Sequence, residues 1–295
     1  MPMKLTKFAF ASLTILFLVA PLIAILPLAF TSSVILTYPI PSWSLRWFEE
    51  LFFADAWRRA IVNSLIIGTG TTLLATVLGT AASLGLRNRL TFFRGTIRTL
   101  FLLPMVVPAV VLGVGMQVLL AGFGLTNSYA GVIIAHTVVA VPFVVVSVTG
   151  ALAGIDERVE LAAQSLGATP TTVFRRVTLP LAMPGVASGA VLAFATSLDE
   201  VVLTLFVAGP NQRTLARQMF SSIRENISPA IAAAAFLFIA ATIIIFSGTE
   251  KKNQCHHSLA NFSSARSSAS RIGTLSITTI FDTMSGWSNA IRKAT

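Results

Sequence analysis

The sequence predicts an all-α membrane protein with about six transmembrane helices. Mean hydropathy is +0.81 over 295 residues, and only 11% of them are charged. Several runs nearly free of charge reach the about 20 residues needed to cross a bilayer. Basic residues fall mainly between these runs. Backbone groups in lipid must be satisfied within the segment, so the spans are helices. The formal charge of +10 could point to nucleic acid or acidic lipid. Most of it lies in short loops and in the tail, so topology accounts for it and no nucleic-acid partner is expected. The single Cys255 excludes an internal disulfide and a cysteine-rich metal site.

Lys4 and Lys7 precede a first apolar run at 8–30. A secretory signal has a similar start, but this run is long for one and more spans follow, so it reads as an uncleaved helix. Pro21 and Pro27 bend or end it near the outer surface. Residues 31–59 form an outer loop, with Trp43, Trp47 and Trp57 near membrane boundaries, where indoles favour the interface. The second span, 61–84, carries Gly68, Gly70, Gly79 and many threonines, the composition of a helix packed closely on others. No Gly-Lys-Ser/Thr follows these glycines, so they form no phosphate loop. Arg87, Arg89, Arg94 and Arg98 crowd the next loop. The third span, 97–122, should be distorted at Leu103-Pro104 and Val107-Pro108. The fourth, 129–150, contains His136 and Pro142. A fifth is expected at 186–208 and a sixth at 229–246.

With the N-terminus inside, the inner segments hold eleven basic residues and the outer ones six. Six spans with both termini cytoplasmic fit this bias, and they place residues 156–185 in the cytoplasm. That loop is polar between two apolar spans. Asp156 and Glu157 suit the positive end of a helix dipole. Val159, Ala162, Ala163 and Leu166 recur at spacings of three and four. Gly167 closes the pattern, and Ala168-Thr169-Pro170 starts a second short helix. The same pattern would serve an ordinary amphipathic connector on the membrane surface.

Ala162-Ala163, Gly167 and Leu179-Pro180 are similar in spacing to the EAA loop of ABC-importer permeases. The name-giving glutamate position holds Leu161, with Glu160 one residue earlier. The stretch Thr196-Ser-Leu-Asp-Glu-Val-Val-Leu-Thr204, followed by Phe206-Val-Ala-Gly-Pro210, resembles permeases of the spermidine/putrescine import type. The resemblance runs from the first span to about residue 246. It implies that Glu160, Ala162, Ala163, Gly167, Leu179 and Pro180 belong to a cytoplasmic coupling helix docking on an ATPase. It further implies a bacterial inner-membrane subunit importing polyamines, paired with a second permease subunit, a dimer of ATP-binding subunits and an extracytoplasmic solute-binding protein. ATP would be bound by the partner, with no cofactor in this chain. Related systems import ferric iron, sulfate or other solutes.

The residues themselves show no Walker A sequence, no nucleophile with a partner and no HExxH, so no enzymatic activity is expected of this chain. Asp199 and Glu200 stand out inside the fifth span, because a carboxylate near the bilayer centre costs about 2.5–3.5 kcal/mol. Counted from Val186 at about 1.5 Å per residue, Asp199 lies about 20 Å along the helix, in the outer half. Thr196, Glu200 and Thr204 are spaced to share one face, with Asp199 beside them. This polar stripe suits a cation path. A buried structural pair, protonated or hydrogen-bonded, suits it as well. A compensating cation would come from His136, another subunit or the substrate. An ion-coupled secondary transporter would use the same pair as its ion site, but no inverted repeat is visible. A small channel subunit is a third class.

Between the last two spans, Leu215, Met219, Phe220 and Ile223 recur at helical spacing, with Arg213, Arg217 and Arg224 on other faces. They suggest a helix lying on the outer surface, either meeting the binding protein or simply connecting. The Ser/Thr-rich tail at 248–295 reads as disordered, or as a divergent or frame-shifted end. Its Cys255-His256-His257 lacks a fourth metal ligand at sensible spacing.

Overall fold

The computed structural model describes residues 2–87, 93–225 and 227–243. The tail at 248–295 and Arg89 lie outside them. Helix α1 (Pro2–Ile25) continues into a 3₁₀ turn at Leu26–Phe30, where Pro27 starts the tighter winding. From Thr6 onward its side chains are exposed nearly all round, as suits a helix set in lipid. A short α2 (Arg46–Phe53) leads into α3 (Asp55–Arg87). Then come α4 (Arg94–Leu102), α5 (Ala109–Gly122) and α6 (Tyr129–Ala153). The polar loop sequence forms α7 (Glu157–Ser165) and α8 (Pro170–Val173), and α9 (Leu179–Asp199) follows. The chain ends its described part with α10 (Val202–Val207), α11 (Leu215–Glu225) and α12 (Ala230–Ile243).

Among the described residues, four helices are long and apolar enough to span a membrane: Thr6–Phe30, Asp55–Arg87, Tyr129–Ala153 and Pro170–Asp199. The third expected span is a pair. The segment Arg94–Met105 and α5 meet at 99°. Pro104 and Pro108 flank the bend, and each removes a backbone donor that a straight helix would need. The pair counts as a fifth span, and α12 stands where the sixth was expected.

The central core is α3, α6 and α9, packed through small residues. Val144 of α6 is fully buried between two glycines. A Cβ at Gly79 of α3 would lie 2.7 Å from its side chain, and one at Gly189 of α9 would lie 3.0 Å from its Cα. In lipid, where apolar burial gives little drive, such close approach is what holds helices together. A second cluster joins α5, α6 and α10 through Met116, Leu120, Val132, Leu203 and Val207. A third, at the end of the bundle that holds α2 and α11, gathers Leu28, Trp47, Leu51, Trp57, Leu215 and the Ala-rich start of α12. Trp47 and Trp57 are therefore core residues of that end, while Trp43 alone of the three is exposed.

The fifth span differs from expectation at both ends. It begins at Pro170 rather than near Val186, because α8 runs into α9 without a break. A π turn at Phe174–Thr178 joins them. Its wider winding accommodates Pro180, which has no N–H and would crowd the preceding turn of a regular helix. At the far end, the helix stops at Asp199.

Candidate functional site

Residues 156–173 form a helix–turn–helix. The Asp156 carboxylate accepts from the Arg158 N–H at 2.9 Å and caps α7. At the other end Gly167 has φ +83°, a conformation that favours glycine. The Gly167 N–H bonds the Gln164 carbonyl and the Ala168 N–H bonds that of Ala163, the double closure of a Schellman end. Thr169 then accepts from the Thr172 N–H, and Pro170 opens α8. Each turn residue thus does locally what its chemistry favours.

One contact was not visible in the sequence. Arg87, the last residue of α3, donates to Glu160 Oε1 at 2.6 Å. The Thr178 hydroxyl donates to the same oxygen at 2.6 Å. The paired side chains are only 20% and 21% exposed. Glu160 therefore anchors α7 to both α3 and the π turn. Apolar side chains around α7 stay exposed: Val159 is 47%, Leu161 58% and Leu166 90% exposed. Replacing either partner, Arg87→Gln or Glu160→Gln, leaves a half-buried charge alone and should cost about 1–3 kcal/mol. A thermal melt of the detergent-purified chain reads this. The exchange Arg87→Glu/Glu160→Arg should regain most of the loss, and no regain would show that the pair does not act through charge.

The acidic pair sits at a break. Glu200 leaves the helix with ψ 103°, and α10 restarts two residues later. Its Oε1 accepts from the Leu203 N–H at 2.9 Å, satisfying a freed donor at the start of α10. The Thr204 hydroxyl donates to the Glu200 carbonyl and also meets His136 Nε2, each at 2.9 Å. His136 Nδ1 meets the Ser197 hydroxyl at 2.9 Å. Thr204 has one proton and spends it on Glu200, so Nε2 is the donor to Thr204. A neutral ring then satisfies both hydroxyls, with Nδ1 accepting from Ser197. His136 holds the break together and touches neither carboxylate. It lies about 10 Å from the Tyr129 end of α6, which puts the break in the half of the helix bundle away from α7.

Thr196, Asp199 and Glu200 line a cavity of about 490 Å³, shared with Phe143 of α6 and Phe238 and Thr242 of α12. Thr204 does not reach it. The break turns its side chain into the core, where it is fully buried. The expected stripe of three therefore becomes two residues on the cavity wall, with a third behind them. Among the described residues no salt bridge engages Asp199 or Glu200.

Arg217, expected on the outer face of α11, points inward. Its Nη1 donates to the carbonyls of Thr204 at 3.1 Å and Ala208 at 2.8 Å. The Ala208 carbonyl is an orphan acceptor past the end of α10, while that of Thr204 also accepts from the Ala208 N–H. Burial lowers the affinity of this guanidinium for its proton, and Arg213 nearby adds to the effect. Asn63 of α3 donates to the carbonyls of Asn211 and Arg213 and accepts from Tyr129. The connection between α10 and α11 is thus pinned to three helices around the break.

Residues 72–249, more than half of the chain, match the family described as "Binding-protein-dependent transport system inner membrane component". The chain belongs to this family. It is 36% identical to the putrescine transport system permease protein PotI of Escherichia coli (strain K12) over 237 residues, 78% of this chain and 84% of that one. It is 32% identical to the spermidine/putrescine transport system permease protein PotC of Haemophilus influenzae over 207 residues, 69% and 79% of the two chains. A molybdenum transport system permease protein, ModB of Mycobacterium bovis, is 36% identical over 214 residues, 67% and 81%. In solved structures, the permease resembles a chain from a bacterial ABC transporter involved in import of the acidic polysaccharide alginate. The TM-score is 0.68 at 14% identity, covering 84% of this permease and 95% of that chain. At that identity the likeness speaks for the fold. The protein is a permease subunit of an ABC importer, a multi-pass component of the inner membrane.

Proposed function

We propose that this permease carries polyamines or similar organic cations, and that they pass the cavity at the α9 break. The observation that carries the reading is that cavity. Two adjacent carboxylates line it without a salt-bridge partner among the described residues. The phenyl groups of Phe143 and Phe238 stand on its walls. A cation between them is attracted by charge and by the ring faces. A polyamine carries ammonium and methylene groups, and so suits a cavity lined by both carboxylates and rings. The polyamine permeases among its relatives support this cargo. The molybdenum permease is a reason to test it, and nothing in the cavity favours an oxyanion.

Energy input is placed at α7. Its exposed Val159, Leu161 and Leu166 are apolar side chains at the end of a rigidly anchored helix, the form expected of a part that docks on another protein. In this reading an ATP-binding subunit dimer takes that surface and hydrolyses ATP. A second permease subunit completes the pathway, and a solute-binding protein delivers cargo from outside. Both termini are cytoplasmic. The functional test is ATP hydrolysis by the assembled complex. Binding protein loaded with putrescine or spermidine should stimulate it, and stimulation by sulfate or ferric iron instead would remove the polyamine reading.

Orientation has its own test. Single cysteines at 172 should be protected from membrane-impermeant reagent in intact cells, and those at 45 and 224 should react. Position 224 is preferable to 215, because Leu215 is buried. Labelling of 172 from outside would overturn the topology.

A further inference from the structure

A second cavity lies at the end of the core opposite the acidic break. It measures about 520 Å³ and is lined by Arg87, Arg94, Arg98, Thr149, Leu152 and Glu157, among others. Three guanidiniums face one carboxylate, so the cavity is net positive. Arg87 is engaged by Glu160. Arg94 and Arg98, one turn apart on α4, form no salt bridge among the described residues. The same helix buries none of its side chains. Phe93, Leu100 and Leu103 present apolar surface along it. Cationic groups at a helix end, continuous with an apolar helix face, match an amphiphile with an anionic head. A soluble anion would use the arginines and leave the apolar face without purpose.

We propose that this cavity binds the phosphate headgroup of an anionic phospholipid from the leaflet on the coupling-loop side, with Arg94 and Arg98 as the contacting groups and α4 carrying the acyl chains. Guanidinium forks suit phosphate oxygens, and basic pockets between helices on the cytoplasmic side are a known form of lipid recognition. Ile155 and Glu157 also line the cavity. A bound headgroup would therefore lie between α4 and the start of α7, held from the α4 side.

The full-length chain in nanodiscs of mixed phosphatidylglycerol and phosphatidylcholine tests this by native mass spectrometry after partial delipidation. The wild type should retain phosphatidylglycerol preferentially. Arg94→Gln/Arg98→Gln should weaken that preference about thirtyfold, from the loss of two cations near the surface. Equal retention of the two lipids by the wild type overturns the proposal without reference to any variant. Displacement of the lipid by inorganic phosphate at equal concentration would assign the cavity to a soluble anion instead. Unchanged lipid retention by the variant, together with loss of a copurifying ATP-binding subunit, would assign it to a protein interface.

Discussion

Uptake of putrescine or spermidine should fall to near background when Asp199→Asn and Glu200→Gln are combined. Both changes keep size and hydrogen-bonding capacity and remove only the charge. An ammonium about 4 Å from a carboxylate gains several kcal/mol at an effective dielectric of about 20, part of which is lost to desolvation. Each single change should therefore slow uptake about tenfold, about 1.4 kcal/mol, and the pair about a hundredfold. Assembly with partner subunits and basal ATP hydrolysis should persist, since the break lies at the opposite end of the bundle from α7. The Glu200 amide oxygen can still accept from the Leu203 N–H, so the start of α10 keeps its cap. A structural role predicts another pattern, in which assembly and uptake fall together. Undiminished uptake by a well-assembled double variant would take these residues out of the substrate path.

The second large effect is expected at Gly167, where two substitutions separate two causes. Gly167→Ala forces a side chain into the left-handed region, at about 1–2 kcal/mol. A Cβ built there meets nothing within 4 Å in the chain itself. The alanine variant should thus fold, with a modest loss of transport. Gly167→Trp pays the same local cost and adds a bulky ring beside the exposed apolar side chains around α7. Transport and association with the ATP-binding subunit should both be abolished, at a normal level of the protein in the membrane. Normal transport by the tryptophan variant would show that nothing docks at this turn.

What the sequence allowed differs between these two sites for a physical reason. The coupling turn is built from local chemistry: a carboxylate cap at Asp156, a free φ at Gly167, a cap and proline at Thr169-Pro170. Such signals act within a few residues and can be read in order. The break at Glu200 is not local. No proline or glycine marks it. It persists because Glu200, Thr204, Ser197 and His136 satisfy one another across three helices, α6, α9 and α10. A reading by helical periodicity alone therefore extends the helix through it and places Thr204 on the wrong surface. Arg217 was missed for a similar reason, since its acceptors are backbone carbonyls, which leave no trace in side-chain pattern. The Arg87–Glu160 pair spans distant parts of the chain. It explains how a loop with Leu161 at the usual glutamate position still carries a firmly held acidic residue next to it. The continuous helix through Pro180 depends on a π turn, for which the sequence offers a proline but no register.

The central claim is ATP-driven passage of an organic cation through this subunit. The most direct measurement is accumulation of radiolabelled cargo by proteoliposomes containing the assembled importer, with ATP on the coupling-loop side and loaded binding protein on the other. Putrescine or spermidine should accumulate with saturation, only with ATP, and far less with the Asp199→Asn/Glu200→Gln permease. Accumulation of molybdate or sulfate in its place, or polyamine entry that does not need ATP, would contradict the account.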